Sequence, residues 1–209
     1  MNGFFRIPLF FFNLAYPYKI YNKHNFPKGS AVVVCNHFRA IDCCFIADIY
    51  NKDIYFLAKK ELFNNKLLGS LIKTMGAIPV DRDKADVKSM MLALKALKNG
   101  HKLAVFPEGT RNKTNTNELQ PLKGGSMFFA VKAKSPIVPV MLSRKAKIFR
   151  KTHIIVGEPF ELSEFYDKKL TDEDFKTMEK VVYDKMVEQQ NLLNEILNKK
   201  KKKRKNGNN

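Results

Sequence analysis

Short β-branched apolar runs alternate along this chain with longer segments whose apolar residues recur three and four positions apart. Ala31 to Cys35, Ile54 to Ala58, Ala77 to Val80, Lys102 to Phe106 and Ile137 to Leu142 read as buried strands, with His153 to Val156 a weaker one. Leu62 to Met75 and Val87 to Leu97 have helical spacing, and the second runs into Asn99-Gly100, a stop signal. Strand and helix in turn predict an α/β sheet covered on both faces, with sites at the carboxyl ends of its strands. Pro139, inside Ile137 to Leu142, argues that this strand lies at an edge or carries a bulge.

The last long segment starts at Thr171 with Asp172, Glu173 and Asp174 in its first turn, and Phe175, Met178, Val182, Met186, Leu193 and Leu197 mark an apolar face. It reads as an amphipathic helix entering a low-complexity tail, Lys199 to Asn209, whose composition predicts disorder. The chain begins with Phe4, Phe5, Ile7, Leu9, Phe10, Phe11, Phe12 and Leu14, then Tyr16 and Tyr18, interrupted by Arg6, Pro8 and Pro17. Such a segment can lie in a lipid headgroup layer or pack over the core. No stretch reaches the ~18 to 20 apolar residues that span a bilayer. The organisation expected is therefore a membrane-contact segment over 1–28, an α/β domain over 29–198 and a basic tail over 199–209.

With 209 residues and 44% hydrophobic content, the chain can bury one sizeable core. Its 38 Lys and Arg against 20 Asp and Glu give a net charge of +18, and removing the seven charges of Lys199 to Lys205 leaves +11. A basic body favours polyanions, whether nucleic acid, an anionic membrane surface or an acidic carrier protein. The nucleic-acid reading rests on the tail alone, since no aromatic RNA-binding sheet motif or recognition helix accompanies it. Three cysteines give no disulfide framework, and the absence of a signal peptide points to a reducing interior.

Chemistry concentrates in Asn36-His37-Phe38-Arg39-Ala40-Ile41-Asp42. On a regular helix, five positions leave two side chains ~140° apart, so His37 and Asp42 can meet only where a strand end turns into a helix. A carboxylate on one imidazole nitrogen fixes the tautomer and leaves the other to take a proton from a hydroxyl. No serine in this block offers a local nucleophile, so direct attack by a substrate hydroxyl is the simpler chemistry. Cys35, His37, Cys43 and Cys44 suggest zinc, but adjacent helical cysteines diverge and no second ligand pair follows. Arg82 follows a strand and can grip phosphate oxygens. Phe106-Pro107-Glu108-Gly109-Thr110-Arg111 forms a turn at the same sheet edge, and Lys123-Gly124-Gly125-Ser126 opens a helix whose free amides suit an anion.

These blocks, together with Lys60-Glu61-Leu62-Phe63, Gly76-Ala77-Ile78-Pro79-Val80-Asp81-Arg82 and Ile137-Val138-Pro139-Val140, follow an order and spacing over roughly residues 30 to 142 that resembles the glycerolipid acyltransferase family. Specifically, it resembles the 1-acyl-glycerol-3-phosphate acyltransferases. It implies a mixed, mostly parallel sheet with helices on both faces. It also implies acyl transfer from a thioester, on acyl carrier protein or coenzyme A, to the sn-2 hydroxyl of lysophosphatidic acid, with no metal or redox cofactor. His37 would be the general base and Asp42 its orienting acid. Arg82, Glu108, Gly109, Thr110, Arg111, Lys123 and Gly76 would contact substrate, while Pro139 belongs to the fourth motif. Glycerol 3-phosphate or another lysolipid is the alternative acceptor. Family members often carry a small polar residue where this chain has Phe38-Arg39-Ala40-Ile41, and many have longer N-terminal hydrophobic helices. Attachment is thus expected to be interfacial, at the cytoplasmic face of a membrane.

Overall fold

Five consecutive apolar residues, Ala31–Cys35, are all buried and form the central strand of the molecule. The computed structural model describes residues 6–51, 53–81, 86–114, 116–123 and 125–206. Its strands are β1 (Tyr18–Tyr21), β2 (Ala31–Cys35), β3 (Ile54–Lys59), β4 (Ala77–Val80), β5 (Lys102–Val105), β6 (Ile137–Leu142) and β7 (Thr152–Val156). Its helices are α1 (Arg6–Ala15), α2 (Asp42–Ile49), α3 (Lys66–Thr74), α4 (Val87–Lys98), α5 (Gly125–Ala133) and α6 (Asp172–Asn206). The strands form one sheet in the order β1-β7-β6-β2-β5-β3-β4, and every neighbouring pair is parallel except β6 with β7.

Period-two alternation along β2 divides the core. Val32 and Val34 join Ala93 and Leu97 of α4, Met127 and Phe129 of α5, and Met178, Val182 and Met186 of α6. Ala31, Val33 and Cys35 point the other way, toward Phe45, Ile46 and Ala47 of α2 and Phe12 of α1. A strand covered on both faces has no polar side to preserve, which is why it reads as an unbroken apolar run. Each of its three valines contributes about 2 kcal/mol by leaving water.

The connection leaving β2 passes through α2 on one face, and the connection leaving its neighbour β5 passes through α5 on the other. The two connections leave on opposite faces, which makes the carboxyl ends of β2 and β5 a topological switch point, the place where α/β sheets bind ligands.

Four features depart from the sequence reading. Pro139 stands in β6, which is interior, bonded to β2 on one side and β7 on the other. The Pro139 carbonyl accepts from Gly157 N at 2.7 Å just past the last pair of the β6–β7 ladder. Because the nitrogen and carbonyl of one strand residue face the same neighbour, the missing N–H falls at that ladder's end and the β2 side stays intact. Second, Tyr18–Tyr21 pairs with β7, so the sheet begins inside the span 1–28 expected to be a separate membrane-contact segment.

Third, the helix expected from Leu62 starts at Lys66, because Asn65 caps it by accepting from Leu68 N at 3.0 Å. Fourth, α6 continues through Asn206 into the run expected to be disordered. Thr171 and Asp174 fix its start reciprocally, Asp174 N donating to Thr171 Oγ1 at 3.2 Å and Thr171 N to Asp174 Oδ2 at 2.9 Å. Once nucleated, a helix propagates at little cost through Lys and Arg, whose charges also suit its carboxyl end. Lys200 adds a tertiary anchor, with its Nζ 4.5 Å above the Tyr21 ring and donating to the Tyr21 hydroxyl.

Candidate active site

Asn36 continues β2 by one residue with its side chain rather than its backbone. Its Nδ2 donates to the Leu142 carbonyl at 3.0 Å, and its Oδ1 accepts from Leu142 N at 2.8 Å. That tie fixes the direction in which the chain leaves the sheet, and His37 follows immediately.

The segment from His37 to Ile41 turns back so that Asp42, the first residue of α2, lies beneath the imidazole. His37 Nδ1 stands 3.0 Å from Asp42 Oδ2. The same oxygen accepts from Phe38 N at 2.6 Å and Arg39 N at 2.7 Å. Two amide donors on one oxygen require an unprotonated acceptor there, so the imidazole presents Nδ1–H to Asp42 and leaves Nε2 as its basic nitrogen. Asp42 is fully buried, and its Oδ1 has no hydrogen-bond partner. The whole accepting capacity of the carboxylate in use therefore converges on the oxygen facing His37.

The turn after β5 holds His37 from the other side. Phe106 stacks on the imidazole, with ring centroids 4.0 Å apart and planes 22° from parallel. Glu108 Oε1 accepts from His37 N at 2.7 Å, while Glu108 Oε2 accepts from Gln120 N at 3.2 Å. Asn112 N donates to the His37 carbonyl at 2.6 Å. Both backbone groups of His37 are clamped by one loop, and its ring lies between a carboxylate and an aromatic face. Glu108 is buried, and burial raises its pKa; the two amide hydrogen bonds oppose that rise.

Of the expected substrate contacts, Gly109, Thr110, Arg111 and Lys123 gather with Glu108 on this loop system at the carboxyl edge. Thr110, Arg111 and Lys123 are exposed. Lys123 N donates to the Pro107 carbonyl at 2.8 Å. The stem of Lys123 crosses Gly109, where an added Cβ would come within 2.7 Å of Lys123 Cδ, and Gly109 has a φ of 70°. The left-handed backbone is what favours glycine at that position, and a side chain there would also have to displace the Lys123 stem. Gly76 is placed elsewhere, at the amino end of β4, where a Cβ would stand 2.3 Å from the Ile54 carbonyl oxygen. It serves the turn from α3 into β4, packed against the start of β3 at the opposite edge of the sheet. Arg82 and Gly124 lie outside the described residues. Asp81, just before Arg82, pairs with Lys60 at 2.6 Å and so ties the Gly76-to-Arg82 block to the Lys60-to-Phe63 block.

Asn36, Phe106, Asn112 and Gln120 take part in the site without having been singled out as functional from the sequence. Phe106 and Asn36 lie inside the sequence motifs, but nothing in their spacing marks a stacking or strand-extending role.

The cysteines are held as thiols. Burial pushes Cys43 up to about 12 and Cys44 up to about 11, and it drives Cys35 well above its ordinary value. Among the described residues no three His, Cys, Asp or Glu side chains group as a metal site, and no helix is long and apolar enough to cross a membrane.

Comparison with known proteins bears on the fold and the family. The model of the Acyltransferase family matches residues 17–143, from β1 through the end of β6. The 1-acyl-sn-glycerol-3-phosphate acyltransferase of Bacillus subtilis is 38% identical over 154 residues, covering 70% of this chain and 75% of that protein. The enzyme of the same name from Streptococcus pneumoniae is 32% identical over 133 residues, 61% of this chain and 47% of its own. The crystal structure of the 1-acyl-sn-glycerophosphate (LPA) acyltransferase PlsC from Thermotoga maritima superposes with a TM-score of 0.62 at 25% identity. That match covers 82% of this chain and 71% of the other. The chain belongs to the acyltransferase family, within the group of 1-acyl-sn-glycerol-3-phosphate acyltransferases.

Proposed function

We propose that the protein transfers a fatty acyl group from a thioester, on acyl carrier protein or coenzyme A, to the sn-2 hydroxyl of 1-acyl-sn-glycerol 3-phosphate, giving phosphatidic acid. The observation that carries this reading is the His37–Asp42 pair at the carboxyl edge of the sheet. Its carboxylate is saturated on one oxygen, and its imidazole is clamped through both backbone groups.

His37 Nε2 takes the hydroxyl proton as the oxygen attacks the thioester carbonyl carbon. The tetrahedral intermediate then collapses, the C–S bond breaks, and the departing thiolate receives the proton from the imidazolium. Asp42 stabilises the imidazolium between these steps and keeps the ring from rotating. No acyl-enzyme forms, because a substrate hydroxyl fills the role that serine has in a triad. Glu108 acts at one remove, holding the His37 backbone. Arg111 and Lys123, with Arg82 of the Gly76-to-Arg82 block, supply positive charge for the acceptor phosphate.

The enzyme works as a peripheral protein on the cytoplasmic face of a membrane, where its acceptor resides. Presenting the purified protein with one acyl thioester and, in parallel, lysophosphatidic acid, glycerol 3-phosphate and a neutral lysolipid tests the reading. Preference for lysophosphatidic acid supports it, and transfer to one of the other acceptors alone would replace the substrate.

A further inference from the structure

The loop joining β6 to β7 carries two large apolar side chains in water at its tip. Ile148 is 58% and Phe149 78% exposed, whereas Ala146 at the loop's base is fully buried in the core. Arg150 N closes a tight turn onto the Lys147 carbonyl at 3.2 Å. Phe149 takes a φ of 55° there, a left-handed conformation that glycine or asparagine adopts with less strain than a bulky aromatic. A strained, exposed phenylalanine has no folding rationale on this turn.

Phe149 N donates to the carbonyl of Ala15, the last residue of α1, at 2.7 Å, and Thr152 N to that of Pro17 at 2.9 Å. On α1, Phe12 faces inward against Phe45, while Phe11 and Leu14, three positions apart, are each 60% exposed. The outer face of α1 and the tip of the β6–β7 loop thus form adjoining apolar ground at the edge of the sheet that carries His37.

Beside this ground opens a cavity of about 1020 Å³ whose wall includes Phe38, the residue after His37. Eight Lys and Arg side chains line it, among them Arg144, Lys145, Lys147, Arg150, Lys151 and Lys200, and none of the described lining residues is acidic. Their field is felt locally: His153 in the same wall is pushed down to about 4, first by burial and then by Arg144, Lys200, Lys151 and Lys19. Arg144 and Arg150 stand close enough for like-charge repulsion.

We infer that the outer face of α1 and the β6–β7 turn, centred on Phe149, form a two-point contact with an anionic lipid surface, whose headgroups enter the basic cavity. Aromatic and aliphatic tips flanked by cations match the chemistry of that interface. An acidic protein would answer the charge equally, but not a pair of protruding apolar tips on separate segments. The inference deepens the peripheral reading above and rests on it only in placing the acceptor in a membrane.

The sequence contains no tryptophan, so Phe149→Trp makes a single-site reporter in the full-length protein. With vesicles of phosphatidylcholine and phosphatidylglycerol, its emission shifts to shorter wavelength and is quenched by brominated acyl chains, and high salt reverses both effects. The double variant Ile148→Ser/Phe149→Ser loses vesicle affinity by about tenfold or more, as the loss of two buried apolar side chains requires. It keeps the parent's turnover on a water-soluble short-chain lysophosphatidic acid and the parent's circular dichroism melt. Unchanged Trp emission on anionic vesicles overturns the inference, as does emission that responds to an acidic carrier protein and not to vesicles. Turnover on the soluble acceptor is read separately, so a failed lipid contact is distinguishable from a failed assignment of the reaction.

Discussion

Asn36 and Leu142 are joined by a pair of hydrogen bonds in which a side-chain amide mimics a peptide group, at 3.0 and 2.8 Å. The β2–β6 ladder ends at Cys35 and Val140, and this pair prolongs it by one step. The chain therefore leaves the sheet in one direction only. Replacing Asn36 with Ala leaves both Leu142 groups buried and unsatisfied, at about 2 kcal/mol or more. Urea unfolding should show that loss, together with a fall in kcat greater than the change in KM. An unchanged midpoint and rate would mean that the strand end is held by other contacts.

Asp42→Asn keeps an oxygen for the amides of Phe38 and Arg39 but removes the charge facing the imidazole. The expected result is a drop in turnover of about 10³-fold or more, as for the analogous change in a catalytic triad. The circular dichroism spectrum should remain that of the parent. Turnover within tenfold of the parent would show that Asp42 only ties down the amides of Phe38 and Arg39 and does nothing for His37.

Glu108 receives two amide donors, so Gln in its place turns an N–H₂ toward one of them. The misfit costs about 1 to 3 kcal/mol, and kcat should fall about 10- to 100-fold if it is expressed at His37. The pH dependence has a definite sign. Because burial raises the folded pKa of Glu108, the folded state holds a proton that the unfolded chain has already released. The contribution of Glu108 to stability is fully present below the unfolded carboxylate pKa, ~4.3, and declines as pH rises through the raised folded value. Unfolding free energies of parent and Glu108→Gln, compared from acid to neutral pH, should diverge in that direction. A parent advantage that grows with pH contradicts the assigned burial.

Arg111 is exposed on the loop that carries Glu108. Arg111→Ala should raise KM for the phosphorylated acceptor about tenfold, the worth of one charge-assisted hydrogen bond, and leave KM for the thioester alone. An equal rise in both would assign Arg111 to the donor or to the loop's structure.

How far the sequence could be read follows from the range of the forces involved. Burial on both faces writes itself as an apolar run, so β2 and β6 have the limits expected. The partnership of His37 and Asp42 was legible because the alternative, a continuous helix, would have driven the two residues apart. Edge strand β1 was not recovered, since Tyr18–Tyr21 is only half-covered and depends on β7, over a hundred residues away. Pro139 misled for a related reason: whether a missing N–H matters depends on which neighbour it faces. The clamp on His37 by Glu108 and Asn112 joins segments some seventy residues apart, and no local pattern encodes it. Gly76 shows the converse error, where position in a motif suggested substrate contact and the backbone of Ile54 explains the glycine.

The most direct test of the account is product formation. The intact protein and His37→Ala, matched for circular dichroism, are each given an acyl thioester and lysophosphatidic acid, and the lipids are read by mass spectrometry. Phosphatidic acid from the intact protein, with its rate at least about 10³-fold lower in the variant, is the result predicted for a general base in a coupled dyad. Comparable phosphatidic acid from both would contradict the assignment of His37 as the base.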